Sequence, residues 1–234
     1  MIDIVKKEKN GRTKLEWLDS RHIFSFGQFY DPENTQFGPV RVLNHDIIAP
    51  NGGFPKHPHD NMEIVTIVLK GELTHEDSTG TKEVIHTGEV QRMTAGSGIV
   101  HSEFNNSDSV PCELLQIWFF PDRKNLEPNY EQKKFDTSRR KNKLFKVVGN
   151  EKEKGTIFIN QDAELYISEP DSGTELTHTA EEGRGMFIYL INGRLKVNDE
   201  NLSEGDSAKV ISETSVNFKT EEDSSVILFD VPLN

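Results

Sequence analysis

Residues 52–71 read GGFPKHPHDNMEIVTIVLKG, and the rest of the chain is best interpreted outward from them. The second half, EIVTIVLK, is an unbroken run of β-forming residues closed by Gly71, as in a strand buried on both faces and ended by a turn. The first half places histidines at 57 and 59. Side chains alternate along an extended strand, so both imidazoles project to one face. Glu63, four residues beyond His59, shares that face if the strand runs on unbroken. A second stretch, AGSGIVHSEFN at 95–105, repeats the spacing with His101 and Glu103 after a glycine-rich turn. If the two strands are neighbours, three imidazoles and at least one carboxylate converge, a donor set suited to Fe, Mn, Co, Ni, Cu or Zn. A His-x-His pair alone is a weak signal. The combination, set against an apolar strand and glycine turns, is much stronger.

Similar short strands recur along the chain: VRVLNHDII (40–48), EVQRMTA (89–95), ELLQIWFF (113–120), GMFIYLINGRLKV (185–197) and SSVILFDVPL (224–233). DSTGTK (77–82) and NDENLSEGD (198–206) read as turns, and no long amphipathic helix is evident. The fold class is all-β, a sandwich or small barrel. IVLKGEL followed by HTGEVQRMTAG is echoed by YLINGRL followed by LSEGDSAKVIS, which points to an internal duplication. The polar, basic segment 121–146 reads as a solvated connection, dividing the chain into residues 1–140 and 141–234.

The 234 residues carry a net charge of −12, which argues against a nucleic-acid-binding surface spread over the whole molecule but leaves room for a local basic patch. No apolar run approaches a membrane span, and the N-terminus lacks the apolar stretch of a signal peptide. With Cys112 as the sole cysteine, a reducing cytoplasm is the expected setting. Cys112 itself reads as core rather than nucleophile. His22, His45, His75, His86 and His178 have no partner at ligand spacing and read as surface or packing residues.

Residues 52–71 resemble the first cupin motif, and GEVQRMTAGSGIVHSEFN (88–105) resembles the second, although Thr94 and the spacing near Gly96 depart from the general pattern. Together with WLDSRHIFSFGQFYDP (17–32) and PNYEQKKFD (128–136), these segments resemble the pirin family, including the bacterial pirin-like quercetin 2,3-dioxygenases. The resemblance implies a bicupin: two antiparallel β-sandwich or jelly-roll barrels with few short helices, metal-binding in the N-terminal barrel and metal-free in the C-terminal one. It assigns one divalent ion, Fe(II) first and Mn, Co, Ni, Cu or Zn as alternatives, to His57, His59, His101 and Glu103. General cupins use the motif-one acid, Glu63 here, whereas pirins use Glu103; strand parity permits both.

The implied activity is oxidative cleavage of the central ring of flavonols such as quercetin by O2, with release of carbon monoxide; Glu103, the candidate catalytic group, either stays on the ion or swings off to take the substrate proton as general base. A small aromatic substrate would then enter the barrel near Phe104, Ile117 and Phe119. The alternative is a non-enzymatic, redox-sensitive regulatory protein with a protein partner.

Overall fold

The computed structural model describes residues 1–151 and 155–233. The runs of Val, Ile, Leu and Phe form strands throughout, and the helical segments among the described residues are the short 3-10 turns Lys7–Lys9 and Thr137–Arg140. The strands make two sandwich-like barrels, each a seven-stranded sheet facing a four-stranded one. In the first, the large sheet runs Asn129–Lys134, Glu89–Thr94, Glu63–Lys70, Cys112–Phe119, Val40–Ile48, Leu18–His22, Gly11–Lys14. Its small sheet runs Gly53–His59, Ile99–Phe104, Glu72–Asp77, Lys82–His86.

The second barrel repeats the plan. Its large sheet runs Ile2–Val5, Ser207–Val210, Arg184–Asn192, Ser225–Pro232, Glu164–Ser168, Phe145–Gly149, Ile157–Phe158. Its small sheet runs Glu175–Thr179, Ser215–Thr220, Arg194–Val197, Glu200–Ser203. The echo of 67–96 in 189–212 is thus an echo of matching strands.

Three details differ from the sequence reading. Ile2–Val5 does not join the first barrel; it pairs with Ser207–Val210 and so ties the start of the chain to the second. Residues 121–146 are more than a connection. Asn129–Lys134 pairs along Glu89–Thr94 as the edge strand of the first large sheet, and its polar composition suits an edge position. Residues 198–206 hold a short strand, Glu200–Ser203, paired with Arg194–Val197.

The two large sheets pack on each other, so their strands are buried on both faces. Alternation sorts the side chains. In Cys112–Phe119, the odd-numbered Leu115, Ile117 and Phe119 enter the core shared by both halves with Phe187, Ile227 and Phe229. The even-numbered Cys112 and Leu114 enter a core inside the first barrel. Phe187 lies at the centre of the shared core, fully buried, with ring centroids 5.0 Å from Phe24, 5.6 Å from Phe37 and 5.9 Å from Phe229. Phe187→Ala should therefore lower unfolding free energy by about 3–5 kcal/mol in denaturant titration. A loss below about 1 kcal/mol would contradict this packing.

Gly71 makes the turn expected at the end of EIVTIVLK. Its φ is +76°, and a Cβ there would lie 2.7 Å from the Pro111 carbonyl oxygen. Gly96, where the second motif departs from the general cupin spacing, is tighter still: φ is +51°, and a Cβ would lie 2.0 Å from the Leu126 carbonyl oxygen.

Candidate metal centre

Gly53–His59 and Ile99–Phe104 are antiparallel neighbours, with His101 opposite His57 and Ile99 opposite His59. An irregularity between His101 and Glu103 shifts the register, so Glu103 pairs with Phe54. The imidazole centroids are 4.8 Å apart for His57 and His59, 4.4 Å for His57 and His101, and 4.9 Å for His59 and His101. One ligand atom from each lies within 4.8 Å of the others. That approaches the roughly 4 Å spanned by donors across one ion with bonds of about 2.0–2.1 Å. Glu103 falls in a second, overlapping group with His75 and His101, also within 4.8 Å. His101 is the member common to both groups.

The ring nitrogens present lone pairs in keeping with a cation. His57 Nδ1 lies 2.8 Å from the Pro55 carbonyl oxygen, an acceptor, so this nitrogen carries the proton and Nε2 is left as the donor atom. His101 Nε2 is buried with no hydrogen-bond partner. Such an atom is costly to leave bare and is satisfied by a ligated ion. The donor set therefore fits a divalent transition metal. Glu103 is buried, and both its oxygens accept from Gln116 Nε2, at 3.1 and 2.9 Å. Gln116 Oε1 in turn accepts from Thr66 Oγ1 at 2.8 Å, which fixes the amide.

Glu63 stands elsewhere. The chain turns at Asn61, with φ +47°, and Glu63–Lys70 begins in the other sheet. Its parity with Val65 and Ile67 turns Glu63 toward the second half, where Asn160 donates to its carboxylate through N and Nδ2, both at 3.3 Å. The strand does not run on unbroken, and the expectation that Glu63 shares the histidines' face is corrected.

The cluster closes one part of a cavity of about 390 Å³, whose other walls include Phe26, Phe54, Ile64, Trp118, Asn44 and Asp46. The expectation that Ile117 and Phe119 line it is also corrected, because their odd parity sends both into the shared core. Phe104 borders a separate surface cleft with Lys56 and Asn106. Trp118 takes the place expected of them, its ring edge-on to His59 at 4.8 Å and to Phe26 at 5.5 Å. Gln116 and Trp118 were legible in principle: within LLQIWF they occupy the positions that alternate with the aliphatic ones.

The other histidines divide. His178, in the second barrel, is bound to Asp230 at 2.7 Å. His45 bridges Tyr189 Oη and Glu113. His75, which its spacing marks as a surface or packing residue, is buried and faces His101. Cys112 is buried as expected, and burial pushes its thiol up to about 12, which keeps it unreactive at neutral pH.

Burial, then the neighbouring His101 and His57, lowers His59 to about 4. Burial, then His57 and His75, lowers His101 to about 3. Both rings are thus neutral, ready to ligate, at physiological pH. In the unfolded chain each would protonate near 6.5, so between 6.5 and those values the unfolded state binds more protons. The metal-free protein should lose stability from these two rings as pH falls from about 6.5 toward 4 and 3. Asp46 opposes this: burial raises it to about 7, with Glu103 adding to the shift, and the stability held by its proton is lost as pH rises from 3.8 through 7. Glu63, whose carboxyl burial also raises, opposes it in the same sense, so in an Asp46→Asn, Glu63→Gln background Tm should fall from pH 7 to pH 4.5. An unchanged or rising Tm would contradict the buried neutral pair.

Comparison with known proteins decides the family. The pirin family model matches residues 5–119, and the quercetinase C-terminal cupin domain model matches residues 146–231. A quercetin 2,3-dioxygenase of Escherichia coli K12 is 37% identical over 232 residues, 99% of each chain. The chain belongs to the pirin family. Among solved structures, YhhW from Escherichia coli superimposes with a TM-score of 0.96 at 36% identity, covering 100% of this chain and 99% of that one. The bacterial pirin YhhW in complex with nickel(II) gives 0.95 at 35% identity, with 100% of both chains covered. The two barrels are those of a pirin bicupin. Among the described residues, no helix is long and apolar enough to cross a membrane.

Proposed function

We propose that this pirin is a metal-dependent dioxygenase that opens the central ring of flavonols such as quercetin with O2 and releases carbon monoxide. The observation that carries the reading is the set of three imidazoles converging at an apolar-walled cavity large enough for an aromatic substrate. The dioxygenase name of the Escherichia coli relative and the nickel(II) complex of a structural neighbour support it.

His57, His59 and His101 would hold the ion, with Glu103 as the fourth ligand. Once bound, a divalent ion acts as a Lewis acid and makes a substrate hydroxyl more acidic. Glu103 accepts that proton, while Gln116 Nε2, donating to both its oxygens, holds the carboxylate in place. Phe26, Phe54 and Trp118 pack against the substrate rings and exclude water. Fe(II) is the first candidate, with the other first-row divalent ions as alternatives.

Elemental analysis and a quercetin assay under air on the same sample test this. The expected result is about one transition metal per chain, loss of quercetin absorbance and release of carbon monoxide. A metal-loaded protein that leaves quercetin unchanged would overturn the dioxygenase reading.

A further inference from the structure

A run of hydrogen bonds behind His101 has no place in the chemistry above. Asp77 Oδ1 accepts from Thr79 N at 2.8 Å, Thr79 Oγ1 at 2.6 Å and Thr81 N at 3.2 Å. These are all donors, which suits an ionised carboxylate held in one orientation by the hairpin Ser78–Gly80 closes. Asp77 Oδ2 faces His75 Nε2 at 3.1 Å. His75 Nδ1 faces His101 Nδ1 at 3.5 Å, and His101 Nε2 is the buried atom without a partner. Topology makes this contact, since Glu72–Asp77 lies beside Ile99–Phe104 with Asp77 opposite His101 and His75 opposite Glu103.

The proton positions follow in order from the carboxylate. Asp77 accepts, so the His75 proton sits on Nε2 and its Nδ1 is a lone pair. That lone pair accepts from His101 Nδ1–H, so the lone pair of His101 is on Nε2. Neither His75 nitrogen is then spare for an ion. We propose that Asp77 and His75 are positioning residues that hold His101 in the tautomer whose Nε2 faces the metal. The inference rests on the metal-centre reading, but its first test is made on the metal-free protein and stands apart from that reading.

Long-range 1H–15N NMR of the metal-free protein at pH 7 reads the tautomer directly. The expected result is His101 protonated on Nδ1 and His75 on Nε2; His101 protonated on Nε2 would overturn the proposal. Chelator competition with Zn(II) reads the consequence. His75→Phe, which fills the space without an acceptor, should weaken binding roughly 10–100-fold. His75→Gln, whose amide oxygen accepts from His101, should restore most of that loss. Equal affinity in His75→Phe and the parent would overturn the proposal, as would equal weakening in both variants, because lost packing or a lost fourth nitrogen ligand does not discriminate an acceptor. If the parent itself takes up no Zn(II), the metal-centre reading fails while the NMR result still decides the tautomer.

Discussion

Replacing His101 with alanine should leave the protein folded and almost free of metal. His101 stands opposite His57 in the register and belongs to both groups of clustered donors, so its removal breaks each of them. His57 and His59 would then remain as two imidazoles on one strand, and Glu103, which clusters with His101 and His75 rather than with them, would no longer be joined to them in one donor set. Metal content should drop from about one ion per chain to roughly a tenth of that or less after dialysis, with quercetin turnover falling in proportion. The removed ring lies against His75, so a modest decrease in Tm is expected, read by a thermal melt on the same sample. Retention of a full equivalent of metal by folded His101→Ala would mean that the ion is held elsewhere.

Glu103→Gln should separate binding from chemistry. The amide preserves shape but removes the carboxylate proposed to accept the substrate proton, and it turns one of Gln116's two oxygen acceptors into a donor. Turnover should fall by roughly 10²–10⁴ at saturating metal. The three histidines should keep an ion bound, though less tightly. Glu63→Gln is the matching control. It faces Asn160, away from the cavity, and burial already raises its carboxyl above the usual range, so metal content and turnover should stay near those of the parent. If Glu63→Gln loses the metal and Glu103→Gln does not, the carboxylate ligand is the motif-one acid.

Much of this was legible from alternation alone. The His57–His59 and His101–Glu103 pairs project as their spacing requires, and the two strands meet because the first and second motifs are sheet neighbours. Alternation misled where it was carried across a break. Between His59 and Glu63 the left-handed Asn61 moves the chain from one sheet to the other, and residue parity means nothing across that change. Ile117 and Phe119 are apolar, and that alone suggests a cavity wall. A large sheet covered on both sides has two apolar faces, and only the partner elements tell them apart. His75 was illegible for another reason: its partner is on a neighbouring strand, and pairing register is not written in local spacing. Likewise Ile2–Val5 crosses to the second barrel through long-range pairing that its own four residues do not announce.

An anomalous-scattering map from crystals of the zinc-loaded protein tests the central claim most directly. One peak is expected, about 2.0–2.2 Å from nitrogens of His57, His59 and His101 and from a Glu103 oxygen, with His101 bound through Nε2. A peak at another place, or none beside three well-ordered histidines, would contradict it.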